Sequence, residues 1–312
     1  MLKKPIQKLK KILYKLTVSY PKYIVFKKLF SFWQILGFHL VNNQFYEPIP
    51  DTRTLSLKIW HNNSNLNGIN IDTSKQLRLL KTFKKNYGKE YASFPLDRLE
   101  GQDIFLNNGS FESVDSEILY AFIRYFNPKK IIEIGSGFSS LIIINALEKN
   151  GESKFPINFK IIDPYKSDLS DLVALPTFTK LIRRKVQEVQ LSEFKKLKKN
   201  DILFIDSTHI LSIGSDVWFI FGKILPNLNK GVIVHFHDIF LPNEYSKKQV
   251  LDNYYFFNEQ YILHSFLAFN NSFEVLWSGA YMNIKYPKSL RSAFKSYSKK
   301  TSPASFWIKK IK

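Results

Sequence analysis

After residue 113 the chain alternates between short unbroken apolar runs and longer stretches whose apolar residues recur every three to four positions. The runs predict strands at Lys130–Ile134, Phe159–Asp163, Leu181–Val186, Asp201–Asp206 and Gly231–Asp238. The stretches between them predict helices at Ser139–Lys149, Leu191–Leu197 and Ser215–Leu225. A strand buried on both faces reads as a continuous apolar run, whereas spacing near 3.6 marks a helix with one buried face. Just upstream, Ser113 or Asp115 can cap a helix carrying Ile118, Leu119, Phe122 and Ile123, and Pro128 stops its continuation. Later, Asn253–Phe269 reads as a helix and Phe273–Tyr281 as strands. Strands alternating with helices predict an α/β fold: doubly wound, Rossmann-like, mainly parallel, with helices on both faces of the sheet.

The flanks are less regular. In residues 1–20, Leu2, Ile6, Leu9, Ile12, Leu13 and Leu16 fall on one helical face and Lys3, Lys4, Lys8, Lys10, Lys11 and Lys15 on the other. Such a helix either lies on an anionic membrane surface or docks on its own domain with a solvated lysine face. Residues 41–105 carry loop signals at Pro48, Pro50 and Asn62–Asn70, with one short helix predicted at Gln76–Phe83. The expected division is a helical and loop-rich extension over 1–105, a catalytic domain over 106–285 and a basic, peripheral tail over 286–312. The apolar stretch Leu29–Leu40 is too short to span a bilayer and contains Gln34 and His39. No secretory cleavage signal follows an apolar run near the start.

Composition narrows the chemistry. With no cysteine, disulfides, thiolate metal sites and a cysteine nucleophile are excluded, and a cytoplasmic setting fits, with the inner membrane face as a further option. The formal charge of +20, from 46 Lys+Arg against 26 Asp+Glu, favours polyanionic partners. It is equally what the Lys-, Asn-, Ile- and Phe-rich output of an AT-rich genome would give. The sequence is silent on oligomeric state.

The first predicted strand runs into Glu133-Ile134-Gly135-Ser136-Gly137-Phe138-Ser139-Ser140, a strand, a glycine turn and a helix start. Gly135 and Gly137 let the backbone approach a ligand, and the helix beginning near Ser139 offers free N–H groups. The next strand ends in Asp163, where a carboxylate can accept hydrogen bonds from ribose hydroxyls. This layout resembles the class I S-adenosylmethionine (SAM)-dependent methyltransferases, whose first motif is an acid followed by G-x-G. The resemblance implies SAM as cofactor, held around Glu133, Gly135, Ser136, Gly137, Ser139, Asp163 and Asp206. A nicotinamide-binding domain would more often show a third glycine, and that position is Ser140.

Two further predicted strands deliver polar clusters to the same edge: Asp206 with His209, and His235, His237 and Asp238. Carboxylates and imidazoles on adjacent strand ends either form a metal site or position a base. Each histidine also has a plain reading as a packed residue, His264 above all. Asp206-x-x-His209 followed by His237-Asp238 is similar to the metal-dependent O-methyltransferases of sugar hydroxyls, the macrocin type. By that resemblance His209 is the base with Asp206 catalytic beside it, and Asp206, His237 and Asp238 hold a divalent metal, Mg or Mn. His237 stands where that group has an acid, and imidazole is a poor Mg²⁺ ligand. The segments Gly214-Ser215-Asp216, Leu225-Pro226 and Phe45-Tyr46-x-Pro48-Ile49-Pro50-Asp51 also look like bacterial methyltransferases found with surface-polysaccharide genes.

The expected activity is therefore methyl transfer from SAM to a hydroxyl on a sugar, glycan or glycolipid precursor, with Asn258 and Glu259 reaching the pocket from the following helix. The alternatives are a non-haem iron oxygenase using His209, His235, His237, Asp206 and Asp238, and a non-enzymatic basic module for nucleic acid or membrane. Against nucleic acid stand the lack of an aromatic RNA-binding run and of an Asn-Pro-Pro-Tyr-like segment.

Overall fold

The computed structural model of the protein describes residues 29–39, 41, 43, 46–61, 66–151, 158–165 and 175–312. The basic stretch 1–20 lies outside the described residues. The chain divides into two compact units, Met1–Ser56 and Leu57–Lys312. In the first, α1 (Phe30–Ile35) buries none of its residues. His39 stacks on Phe30 with ring centroids 5.4 Å apart, and the Arg53 guanidinium holds Asp51 through Nε at 2.7 Å and Nη2 at 2.5 Å. Among the described residues no helix is long and apolar enough to cross a membrane.

The second unit opens with α2 (Thr73–Tyr91), capped by the Asp72 carboxylate, which accepts from Lys75 N at 2.9 Å. There follow α3 (Asp115–Phe126), β1 (Lys130–Ile134), α4 (Phe138–Lys149), β2 (Asn158–Ile162), β3 (Thr179–Ile182), α5 (Leu191–Phe194) and β4 (Ile202–Ile205). Then come α6 (Asp216–Phe219, widening to a π turn through Ile224), β5 (Ile233–Phe236), α7 (Glu259–Leu267), β6 (Phe273–Ser278), α8 (Gly279–Lys285), α9 (Pro287–Ala293) and β7 (Phe306–Lys310). The strands form one seven-stranded sheet in the order β3-β2-β1-β4-β5-β7-β6. β1 to β5 run parallel, and β7 lies antiparallel between β5 and β6.

Side-chain alternation along the strands feeds two apolar layers. Ile131, Phe159, Phe204 and Trp307 share one layer with α2, α3 and α4. Ile132, Leu203, Val234 and Ile308 share the other with α5, α6 and α7. Because both faces are covered, the central strands need apolar residues at every position, which is why they read as unbroken runs.

Three expectations are corrected. Residues 57–105 are not a separate extension: α2 packs Leu80 and Phe83 into the sheet's core, and the short helix expected at Gln76–Phe83 is the middle of a 19-residue one. Its inner stripe is Gln76, Leu80, Phe83, Tyr87 and Tyr91, and the polar atoms of Gln and Tyr disguise the period. Residues 286–312 are not a peripheral tail. They supply α9 and then β7, with Trp307 fully buried and stacked on Phe122 at 4.0 Å. Asp115, at the start of α3, fastens this segment by accepting from Ala304 N at 2.7 Å and Ser305 N at 3.1 Å. The lysines around β7 hide it, since its five residues end in Lys309 and Lys310. Among smaller shifts, β3 ends before Arg183-Arg184-Lys185, α7 begins only at Glu259, and Phe273–Tyr281 divides into β6 and the start of α8.

Candidate active site

From β1 the chain winds outward one way through β2 and β3 and the other way through β4 and β5. Ligands of open α/β sheets bind beyond the carboxyl ends of the strands at such a reversal. Two cavities open along this edge. One, of about 510 Å³, has Gly135, Ser136, Asp163, Gln187, Asp206 and Thr208 in its wall. The other, of about 260 Å³, has Ser110, Asp115, His237, Asp238, Ser298 and Lys300 in its wall.

The glycine turn forms the floor of the first cavity. Gly135 N donates to Ile162 O at 3.0 Å, and Asp206 N donates to Ile134 O at 2.9 Å, so β1, β2 and β4 are still zipped together where the turn begins. Gly135 has φ +95°, and a side-chain carbon there would sit 1.9 Å from the Asp206 carbonyl oxygen. Only glycine fits. Gly137 differs: its backbone is extended, and nothing lies within 4 Å of where its side chain would start. That open space beside the first turn of α4 is where a bound molecule can approach the backbone.

Glu133 does not line this cavity. Its fully buried carboxylate accepts from the hydroxyls of Ser139 and Ser140, each at 2.6 Å, and so holds the first turn of α4 against β1 from behind. Burial pushes its pKa up to about 8, against the two serine bonds and with the charges of Asp206 and Asp163 adding to the rise. Ser139 likewise supports the turn. Ser136 and Asp163 do line the cavity: Ser136 Oγ donates to Asp163, which also accepts from Tyr165 N at 2.9 Å. With Asp206 these carboxylates give the cavity an acidic wall suited to a cationic ligand with ribose-like hydroxyls. The sulfonium, ammonium and ribose of SAM fit that donor set.

His209 lines neither cavity, but its ring meets a wall residue of each, Asp206 of the first and Asp238 of the second. It adopts φ +59° after β4, a left-handed conformation uncommon for a residue with a side chain. Its carbonyl accepts from Asn258 N at 3.1 Å and Glu259 N at 3.2 Å, using the free N–H groups that open α7. The Asn258 side chain clasps Leu211 from both sides, with Oδ1 to Leu211 N at 2.5 Å and Nδ2 to Leu211 O at 3.3 Å. Asp216 braces the same loop by accepting from Thr208 N at 3.0 Å and Thr208 Oγ1 at 2.6 Å. The imidazole is thereby aimed: Nδ1 pairs with Glu259 Oε2 at 2.8 Å, while Nε2 faces Asp206 Oδ1 at 3.3 Å and Asp238 Oδ2 at 3.6 Å. Burial opposes a charge on this ring, but Asp206 and Glu259 outweigh it and hold its pKa well above the usual imidazole value. Asp206 is held at about 2, because His237 and His209 overcome the effect of its burial. Asp238, like His209, has positive φ, at +51°.

The other histidines part company. His235 is entirely buried, stacked on Phe204 at 4.0 Å and tilted against Trp307 at 4.7 Å, with neither ring nitrogen paired. Burial drives its pKa well below the usual value, so it is a neutral core residue. His237 lines the second cavity, tilted against Phe111 at 4.8 Å. Among the described residues no group of three or more His, Asp or Glu side chains is arranged to hold a metal ion. Asp206, His237 and Asp238, expected to be metal ligands, do not converge on one point; the two carboxylates close on the His209 ring instead. Nor do two histidines and a carboxylate gather as an iron site requires. Glu259 is only weakly signposted in the sequence, and the residues within 296–304 that wall the second cavity carry no local signal.

Residues 132–239 match a family described as Methyltransferase domain, a stretch running from β1 to just beyond Asp238. An uncharacterized protein of Archaeoglobus fulgidus is 34% identical over 165 residues, covering 51% of this chain and 73% of that protein. Among solved structures, the chain is similar to the S-adenosylhomocysteine (SAH)-bound methyltransferase PaMTH1 of Podospora anserina, with 12% identity and a TM-score of 0.40 over 78% of this chain and 89% of that one. It is also similar to a SAM-dependent methyltransferase of Anabaena variabilis, with 11% identity and a TM-score of 0.33 over 80% and 99%.

Proposed function

We propose that this chain, a SAM-dependent methyltransferase of one family with the Archaeoglobus fulgidus protein, methylates a hydroxyl group and uses His209 as the base. One observation carries the reading. His209 Nε2 faces two carboxylates, Asp206 on the wall of the larger cavity and Asp238 on the wall of the smaller. A base linked through these carboxylates to a cofactor cavity and to a second, polar cavity is placed to take the proton of an acceptor oxygen.

When bound, SAM supplies an electrophilic methyl group. The chain's own residues do the rest. Asp163 and Ser136 offer hydrogen bonds to ribose-like hydroxyls, and Asp206 keeps negative charge beside the place where a sulfonium would lie. Glu259 fixes the ring and tautomer of His209 through Nδ1, so Nε2 is the atom that takes the acceptor's proton. The surrounding carboxylates favour the protonated ring, so the unprotonated form that can accept a proton gains ground as pH rises. Bringing acceptor and methyl group into line is a large share of such catalysis, and here the rigid strand ends β4 and β5 provide it.

The acceptor we favour is a hydroxyl of a sugar or glycan, because the second cavity is lined largely by hydroxyl and charged groups. No step is derived through a divalent metal: the position between Asp206 and Asp238 is taken by the His209 ring. Contact of residues 1–20 with an anionic membrane rests on their sequence pattern. Liposome flotation with and without them tests it, and equal recovery removes it.

Calorimetric titration with SAH tests the cofactor half. Micromolar binding that is lost in Asp163→Ala is the expected result. A folded protein that binds no SAH ends the methyltransferase reading.

A further inference from the structure

The crevice opens at the carboxyl edge of the sheet, and the amino edge is built very differently. Lys129 and Lys130 lead into β1, residues 195–200 into β4 and residues 229–231 into β5, while residues 309–312 close the antiparallel β7. All four segments therefore meet at one edge, and hydrogen bonds join them. The Asp201 carboxylate accepts from Lys129 N at 3.0 Å, Lys130 N at 2.9 Å and Lys198 N at 2.8 Å. Asn200 N donates to Gly231 O at 2.9 Å, and Gly231 N donates to Lys310 O at 2.8 Å. Lys199 lies across Gly231, where a side-chain carbon would come within 2.7 Å of Lys199 Cγ.

Residues 127–130, 195–200, 229–231 and 309–312 hold ten lysines and no Asp or Glu. The whole chain has 46 Lys+Arg to 26 Asp+Glu, so a general excess of lysine would place several acids among them. Lys195, Lys198, Lys199, Lys230 and Lys312 are exposed. Asp201, the acid that follows them, is buried and engaged by the three backbone N–H groups, and Glu193 is paired with Lys160 and Lys196.

We infer that this amino edge is a docking surface for an anionic lipid bilayer, and that it holds the crevice facing away from the membrane. The surface is separate from residues 1–20, and the inference does not depend on the methyltransferase reading. Geometry and side-chain type select the partner. β1, β4, β5 and β7 are neighbours, so the lysines spread along roughly 14 Å, three strand spacings, as a row suited to a plane of headgroups. Ammonium groups act on such a plane as point charges, each strengthening binding about fivefold when near it. Nucleic acid is held best by arginine forks and stacked aromatic rings, and the four segments contain neither. The chain advances five residues from Asp201 to Asp206, roughly 16 Å of strand. The crevice thus lies beyond the ~10 Å reach of surface charge in about 0.1 M salt.

Co-sedimentation of the full-length protein with vesicles of phosphatidylcholine and phosphatidylglycerol tests this, with pure phosphatidylcholine as the contrast. The wild type should bind the anionic vesicles only, and release them as salt rises. Lys195→Gln, Lys198→Gln, Lys199→Gln and Lys230→Gln combined should weaken binding about a hundredfold or more. Lys81→Gln, Lys85→Gln, Lys89→Gln and Lys288→Gln combined remove the same charge from exposed positions elsewhere, and should cost less than about tenfold. The chain has no cysteine, so one introduced thiol can carry a dye that reports orientation. Spin-labelled lipid should quench it on Asn227→Cys, which follows the Pro226 carbonyl held by Lys310 Nζ. It should not quench it on Ile213→Cys, in the exposed loop whose Ser212 and Ser215 line the larger cavity. The inference is overturned if the wild type ignores anionic vesicles, if the two quadruple variants bind them alike, or if the dye is quenched at Ile213→Cys and not at Asn227→Cys. It is overturned equally if the amino-edge substitutions abolish binding to poly(U) RNA and leave vesicle binding intact.

Discussion

On its β1–β2 side the crevice is made of backbone and near neighbours in sequence, whereas on its β4–β5 side it is made of side chains brought from afar. Glu133, Gly135, Ser136, Gly137, Ser139 and Ser140 lie within eight consecutive residues and hold one another in place. The other side joins His209, Asp238 and Glu259 from three segments, and the cavity beyond it draws on residues 107–115 and 296–304 as well. A cofactor common to many enzymes can be held by a local turn whose demands are steric. An acceptor particular to one enzyme needs a surface that several distant segments compose together.

The comparison can be broken at its strictest point by Gly135→Ala. The added carbon would meet the Asp206 carbonyl at 1.9 Å, so the ends of β1 and β4 must part. We expect a loss of at least ~3 kcal/mol, read as a melting temperature lower by roughly 6–12 °C and SAH affinity reduced about a hundredfold. A variant that melts and binds like the wild type would show that the turn is not the rigid floor described here.

Asp115→Ala probes the other side. It strips two buried backbone N–H groups, those of Ala304 and Ser305, of their acceptor. The expected cost is roughly 2–5 kcal/mol. At temperatures where the variant remains folded, acceptor binding should weaken before SAH binding does, because residues 296–304 wall only the second cavity. Equal weakening of both would mean that the two sides are not separable.

A smaller effect is expected from Glu259→Gln. The folded-state pKa of His209 is raised, so its basic, unprotonated form appears only as pH climbs past that value, and the transfer rate should rise with pH well above 6.5. Asp206 and Glu259 raise this pKa, Asp238 faces the same nitrogen, and the Phe257 ring packs beside the imidazole at 4.9 Å. Removing the Glu259 charge should move the rising limb to lower pH. A limb that stays put would separate Glu259 from the base. The smallest expected effect is that of a chelator: dialysis against EDTA should leave the rate unchanged, and a rate restored only by Mg²⁺ or Mn²⁺ would place a cation between Asp206 and Asp238 after all.

Much of the fold was legible because its central strands are buried on both faces and must be apolar throughout. β1, β2, β4 and β5 fall within two residues of the runs read from sequence at each end. Elements whose burial depends on distant partners were harder. α2 turns Gln76, Tyr87 and Tyr91 inward, and β7 is embedded in a lysine-rich stretch, so neither shows a clean apolar period. The site followed the same line. Its glycine turn is a local motif, whereas the pairing of Glu259 with His209 depends on α7 delivering its N-terminus to a loop fifty residues earlier. His235 and His237 look alike in sequence, but only the structure separates the core ring from the one that lines a cavity.

The most direct test of the central claim is single-turnover transfer of a labelled methyl group from SAM to a glycoside acceptor, for wild type and His209→Ala, both saturated with SAM. The account predicts a rate about 10²- to 10⁴-fold lower in the variant with SAM affinity essentially unchanged, since the lost group acts on the acceptor's proton. Equal rates in the two proteins would contradict it and take the base away from His209.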